Sequence, residues 1–148
     1  MKETSFPISI IIPCFNAEGT IVRCLESVLN QTFKNYELIV INDGSTDATL
    51  HLAKSYVNRF NKIQIIDQAN SGISVSRNIG IDMARGRYIS FVDADDYLEP
   101  FFLERLYETA IKYDLDLIES DFYFYYSPQK IRKANIYPKN YQPMVYSG

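Results

Sequence analysis

The sequence predicts an α/β fold with a mostly parallel sheet and helices on both faces. Two observations carry this. The strand candidates are continuous apolar runs, as in strands buried on both faces, and they alternate with segments of helical period. The 148 residues suit one domain, 1–148, whose last part, 127–148, is expected to be an irregular tail.

Taken in order, Ile8-Ser-Ile-Ile-Ile12 is a buried strand, and Gly19 to Asn30 sets Ile21, Leu25, Val28 and Leu29 at helical spacing. Tyr36 to Ile41 is the second strand. The turn Asp43-Gly-Ser-Thr-Asp47, rich in cap residues, leads into a helix that runs to about Phe60. Lys62 to Asp67 is the third strand, Ile73 to Ala84 the third helix, and Tyr88 to Val92 the fourth strand. Pro100 to Tyr113 predicts the fourth helix and Leu117 to about Tyr126 a fifth strand.

With 47% hydrophobic and 22% charged residues, the chain can bury a sizeable core. A net charge of -3 and the lack of a basic stripe give no electrostatic case for nucleic acid. Cys14 and Cys24 have no metal-ligand spacing, and the lone His51 falls in a helical stretch, so both thiols read as small buried apolar groups in a reducing compartment. The N-terminus carries no long apolar segment and Ile8–Ile12 is too short to span a bilayer, which predicts a cytosolic chain or the cytosolic face of something larger.

Tyr88-Ile-Ser-Phe-Val-Asp-Ala-Asp-Asp96 ends an apolar run in three carboxylates within four residues. If the backbone stays extended past Val92, Asp93 and Asp95 leave the same face, as two oxygen ligands of a hard cation such as Mg²⁺ or Mn²⁺ would. The plainer reading is that the acids turn the chain and cap the next helix, with Asp96 and Glu99 as a capping box and Pro100 at the first helical position. In open α/β sheets ligands bind beyond the carboxyl ends of the strands. Three polar clusters fall there and should converge on one rim: Cys14–Glu18, Asn42–Ser45 and Asp93–Asp96. The turn after the first strand has neither the G-x-G-x-x-G dinucleotide fingerprint nor a G-x-x-x-x-G-K-[ST] phosphate loop.

Five segments in order, Ile10-Ile-Ile-Pro-Cys-Phe-Asn16, Leu29-Asn-Gln-Thr-Phe33, Glu37 to Asp47, Asn70 to Gly80 and Gly86 to Asp96, resemble the N-terminal half of a family 2 glycosyltransferase with the GT-A fold, recognisable over residues 6–113. The resemblance implies a Rossmann-like sheet cut off after the donor-binding half, and binding of a nucleotide-diphosphate sugar, UDP first. It implies Asp43 at the uracil N–H, Pro13 and Phe15 packing the base, Asp95 as the metal ligand with Asp93 toward the ribose or metal shell, and Arg77 near the diphosphate. Each has a plainer alternative: Asp43-Gly44 as an ordinary turn, Arg77 as a solvated helix residue, Phe15 as core. The cofactor implied is Mn²⁺ or Mg²⁺, and the reaction is inverting transfer to a saccharide or lipid-linked acceptor, with a carboxylate as general base. No segment up to Gly148 matches that base, and Asp116, Glu119 and Asp121 are too close to the fifth strand to be assigned. The alternative is therefore a non-catalytic donor-binding fragment. Phe122 to Tyr126, with Tyr137, Tyr141 and Tyr146, reads as half of a core or an acceptor-stacking surface, and predicts self-association if exposed. Membrane association is expected only through segments outside these residues.

Overall fold

A computed structural model describes residues 5–127 and 129–134. It divides into two compact units, Met1–Glu104 and Arg105–Gly148. The first contains a four-stranded, all-parallel sheet: β1 (Phe6–Cys14), β2 (Tyr36–Asp43), β3 (Ile63–Gln68) and β4 (Gly86–Phe91), in the order β3-β2-β1-β4. Helices α1 (Ile21–Leu29), α2 (Thr49–Ser55) and α3 (Ile73–Met83) connect successive strands. The chain steps outward from β1 to β2 to β3 and then returns across β1 to β4. Right-handed crossovers therefore put α1 and α2 on one face and α3 on the other. Consistently, α1 packs on α2, while α3 packs on β1 and β2.

The apolar runs of β1 and β2 feed both layers. Ile11, Ile39 and Ile41 share a face and pack with Ile79 and Met83 of α3, whereas the alternate residues Ile10, Ile12, Leu38 and Val40 point the other way and are equally buried. Each such side chain contributes roughly 1.5–3 kcal/mol of transfer free energy. That matters for α1, which has nine residues and no side-chain N-cap bond, and is held by its packed face of Ile21, Cys24, Leu25 and Val28. Gly80 lets α3 approach the sheet: a Cβ there would lie 2.4 Å from Ile11 Cγ2.

At the opposite end of the sheet from the acid turn lies a polar knot. Glu37 is fully buried, and its Oε1 accepts hydrogen bonds from Ser9 Oγ (2.7 Å) and the Arg85 amide (2.6 Å). Gly86 N donates in turn to Ser9 Oγ (2.8 Å), and the Arg85 guanidinium stands 3.6 Å from Glu37 Oε2.

Several sequence expectations are corrected. The second helix does not reach Phe60: α2 stops at Ser55 and a 3₁₀ turn covers Val57–Arg59. The fourth helix, α4, spans Phe102–Lys112, so no capping box forms at Asp96 and residues 92–101 are irregular. No strand runs from Leu117. Strand β5 (Tyr123–Ser127) pairs antiparallel with β6 (Lys130–Lys133) in the second unit, so residues 127–148 are not wholly irregular. Period-2 pairing between neighbours in sequence competed successfully with extension of the parallel sheet. On this hairpin Phe122, Tyr123, Phe124, Tyr126 and Ile131 are exposed, and Asp121 forms an ion pair with Lys133 (2.6 Å). Tyr137, Tyr141 and Tyr146 lie outside the described residues. No helix among the described residues is long and apolar enough to cross a membrane.

Candidate functional site

The three loops at the carboxyl ends of β1, β2 and β4 meet at the point where strand order reverses beside β1. The first two are stitched together. Asn16 adopts φ 47°, and its side-chain Oδ1 accepts from Thr46 N (2.8 Å). Asn16 N donates to Ser45 Oγ (3.0 Å), Ala17 N to Thr49 Oγ1 (2.7 Å) and Glu18 N to Asp47 Oδ2 (3.0 Å). Ala48 N returns a bond to Glu18 Oε2 (2.9 Å). Ser45 and Asp47, whose type suggested helix caps, thus fasten the first loop to the second.

Between these loops, α3 and the acid turn lies a cleft of about 470 Å³. Its walls are Pro13, Cys14, Phe15, Asn16, Ala17 and Thr20 from the first segment, Asp43 from the second, Ile73 and Ser76 from α3, and Asp93, Ala94 and Asp95. All three sequence clusters therefore converge, and five of the six predicted binding residues line one space. Phe15 is 50% exposed, which removes the reading that it is core.

Asp43 is only 4% exposed and uses both carboxylate oxygens internally. Oδ1 accepts from Gln68 Nε2 (2.7 Å) and Ser71 N (2.9 Å), and Oδ2 from Gly72 N (2.8 Å). Desolvation pushes its pKa up, but the bonds from Gln68, Ser71, Gly72 and Ser76 outweigh it and leave the carboxyl below its ordinary value. Asp43 thus organises the turn before α3, where Gly72 adopts φ 89°, as well as facing the cleft.

Arg77, the sixth predicted residue, is not in the wall. Its Nη2 pairs with Asp93 Oδ1 at 2.8 Å, and its guanidinium lies over the Phe91 ring at 5.6 Å. Its Nε is buried with no hydrogen-bond partner among the described residues. Asp96, beside the pair of acids, has its pKa raised by burial first and then by the charges of Asp95 and Asp93, while Arg23 lowers it. The turn thus concentrates negative charge. Among the described residues no group of three His, Cys, Asp or Glu is gathered for a metal. Two carboxylates on one cleft still fit a hard divalent ion, because Mg²⁺-type sites take one or two carboxylates and complete the shell with phosphate oxygens and water. Burial, followed by the neighbouring carboxylates, raises the thiols of Cys14 and Cys24 to about 12, so neither is a nucleophile here.

Sequence reading assigned no role to the residues of α1 and its C-terminal end that touch the acid turn. Arg23 Nη2 donates to Asp95 O (2.7 Å), Ser27 Oγ accepts from Leu98 N (3.0 Å), and Gln31 bonds Glu99 O (2.8 Å) and Leu103 N (3.0 Å). Their spacing of four was the available signal, hidden because polar residues at that spacing are usually a solvated helix face.

The chain resembles proteins of one kind. It is 35% identical to the glycosyltransferase GlyA of Streptococcus pneumoniae serotype 4 over 141 residues, which is 95% of this chain and 20% of GlyA. It is 42% identical to the uncharacterised glycosyltransferase YibD of Escherichia coli K12 over 119 residues, 80% of this chain and 35% of YibD. The crystal structure of Staphylococcus aureus TarS 1–349 in complex with UDP superposes with a TM-score of 0.69 at 32% identity, over 72% of this chain and 32% of that one. The chain therefore spans about a fifth to a third of the length of these relatives, and its sheet is that of the GT-A glycosyltransferases. The profile of Glycosyl transferase family 2 matches residues 9–145, and the chain belongs to that family.

Proposed function

We propose that this chain is the donor-binding half of an inverting, metal-dependent glycosyltransferase that takes a nucleoside-diphosphate sugar, with UDP as the nucleotide. The observation that carries this reading is the meeting of Phe15, Asp43, Asp93 and Asp95 in one cleft at the strand-order switch. The TarS complex with UDP supports uridine as the base. In this reading Pro13 and Phe15 supply the flat apolar wall for the base. Asp43, held by Gln68, Ser71 and Gly72 in the cleft wall, is the acceptor for an N–H at the base edge.

Asp95 and Asp93 would hold Mn²⁺ or Mg²⁺, which would supply charge neutralisation for a diphosphate leaving group without a proton. Arg77 is the charge partner that holds the Asp93 carboxylate in place. The acceptor is a saccharide or lipid-linked hydroxyl, and the general base that deprotonates it is not assigned to any residue of this chain. The reaction belongs on the cytoplasmic side, where a reducing environment suits the two buried thiols.

The test is calorimetry of UDP with Mn²⁺, with Mn²⁺ removed by chelator, and with Asp95→Asn. Binding that needs the ion and weakens in the variant supports the proposal; equal affinity with and without Mn²⁺ refutes the metal role. A second reading is a donor-binding fragment without catalysis, since no carboxylate of this chain is assigned as the general base. Metal-linked UDP binding without sugar transfer to any of a panel of acceptors distinguishes it.

A further inference from the structure

We propose that Arg23 and Ser27 of α1, with Gln31 just beyond its end, are positioning residues that fix the backbone of the acid turn, so that Asp93 and Asp95 present their carboxylates together. The functional meaning of this inference rests on the donor-binding reading above; its structural content does not. Residues 92–101 lack regular structure, carry three like charges within four residues, and follow a strand whose last rung to β1 is Val92 N donating to Ile11 O (3.0 Å). Left to themselves such carboxylates spread apart; Asp96 N donates within the turn to Asp93 O (2.9 Å), a bond that depends on the turn keeping its shape, and other backbone groups take partners from elsewhere.

Helix α1 and the residues just past its end provide them in sequence. Arg23 holds Asp95 O, Ser27 takes Leu98 N, and Gln31 spans Glu99 O and Leu103 N while its amide also reaches Ser27 O (3.1 Å). Cys24 adds a weak contact from Sγ to Asp93 O at 3.6 Å. Gln31 is fully buried and satisfied at both ends, which is a demanding arrangement for a side chain with no part in the core. It also gives the Leu29-Asn-Gln-Thr-Phe33 segment a purpose that its position at the end of α1 did not suggest. Thr32 extends the line, its amide donating to Pro100 O at 2.9 Å.

Arg23 separates this idea from a mere charge effect, because the two predict opposite signs. If Arg23 only adds positive charge near the acids, Arg23→Ala strengthens cation binding. If it holds Asp95 in place, Arg23→Ala weakens Mn²⁺-linked UDP binding by about three- to tenfold, the range for one ordinary net hydrogen bond, exposure having cut the charged-group value, while Arg23→Lys, which keeps a donor of similar reach, stays near the parent.

Two measurements decide it. Mn²⁺-linked UDP affinity is read by calorimetry, and amide exchange of Asp96 and Leu98 is read on ligand-free protein. Arg23 is exposed, so its variants fold; Gln31→Met is run beside them with its thermal midpoint recorded. The inference expects weaker binding in Arg23→Ala and exchange at Asp96 and Leu98 faster by about fivefold or more, equivalent to roughly 1 kcal/mol of local protection. Binding as tight as or tighter than the parent, or unchanged exchange, overturns it. Faster exchange in a protein whose parent shows no Mn²⁺-linked UDP binding upholds the positioning role and removes the donor reading instead.

Discussion

Asp43→Ala should cost stability as much as it costs recognition. The carboxylate accepts three hydrogen bonds, from Gln68 Nε2, Ser71 N and Gly72 N, at 2.7 to 2.9 Å. Bonds to a charged group contribute about 1.5–3 kcal/mol each, but three that share one partner are not additive. Ser71 and Gly72 are also exposed enough to recover water. The expected loss is therefore about 2–4 kcal/mol, seen as a fall of roughly 5–15 °C in Tm for a chain of this size. Asp43→Asn should fall between, since one oxygen remains while the new NH₂ confronts a backbone donor.

The pH dependence has a defined sign. Because the folded-state pKa is lowered, the stabilisation is complete above the ordinary carboxylate value and is lost as pH falls through the folded value. The gap in Tm between parent and Asp43→Ala should be flat from pH 6 to 8 and close only below about pH 4. Differential scanning fluorimetry across pH measures this, with UDP and other nucleoside diphosphates titrated in parallel, since loss of uridine preference is also expected. A variant with unchanged Tm would refute the reasoning that Asp43 organises the turn before α3.

Other outcomes follow from the same geometry. Arg77→Ala should change stability by less than about 1 kcal/mol, because both partners of its pair with Asp93 are more than a third exposed; a much larger fall in urea midpoint would show that the pair is structural. Gly86→Ala should destabilise by about 1–3 kcal/mol, since a Cβ would sit 2.4 Å from Ser9 N and backbone rather than a flexible side chain must move; wild-type thermal stability would count against it. With thiols at about 12, both cysteines should resist Ellman's reagent at pH 8 in the native protein and react only in denaturant, and rapid native labelling of either would contradict the burial described.

How far the sequence could be read depended on the kind of signal. Strands β1 and β2 were plain because burial on both faces demands uninterrupted apolar runs. The convergence of Asn16, Asp43 and Asp93 followed from the rule for parallel sheets, which needs only strand positions. Tyr123–Ser127 misled because aromatic and β-forming residues mark a strand without saying what it pairs with, and the pairing went to Lys130–Lys133. The capping box at Asp96 was locally sound but lost to the hold of Ser27 and Gln31, 68 to 72 residues away in sequence. Asp43 read as a turn residue or a ligand group; its bonds to Ser71 and Gly72 make it also the anchor of a loop that the sequence does not connect to it.

The knot of Glu37, Ser9, Arg85 and Gly86 has a bearing on evolution and redesign of the opposite rim. A slip of one residue turns every side chain of a strand to the other face, and that would swing Asp93 away from Arg77. By clamping the entrance of β4 against β1 and β2 through a buried carboxylate, the knot makes such a slip leave Glu37 without its donors. Registration of the strands is thus enforced from their far end, and the loops at the rim are released from that duty. Those loops can change length and composition without any loss of strand registration.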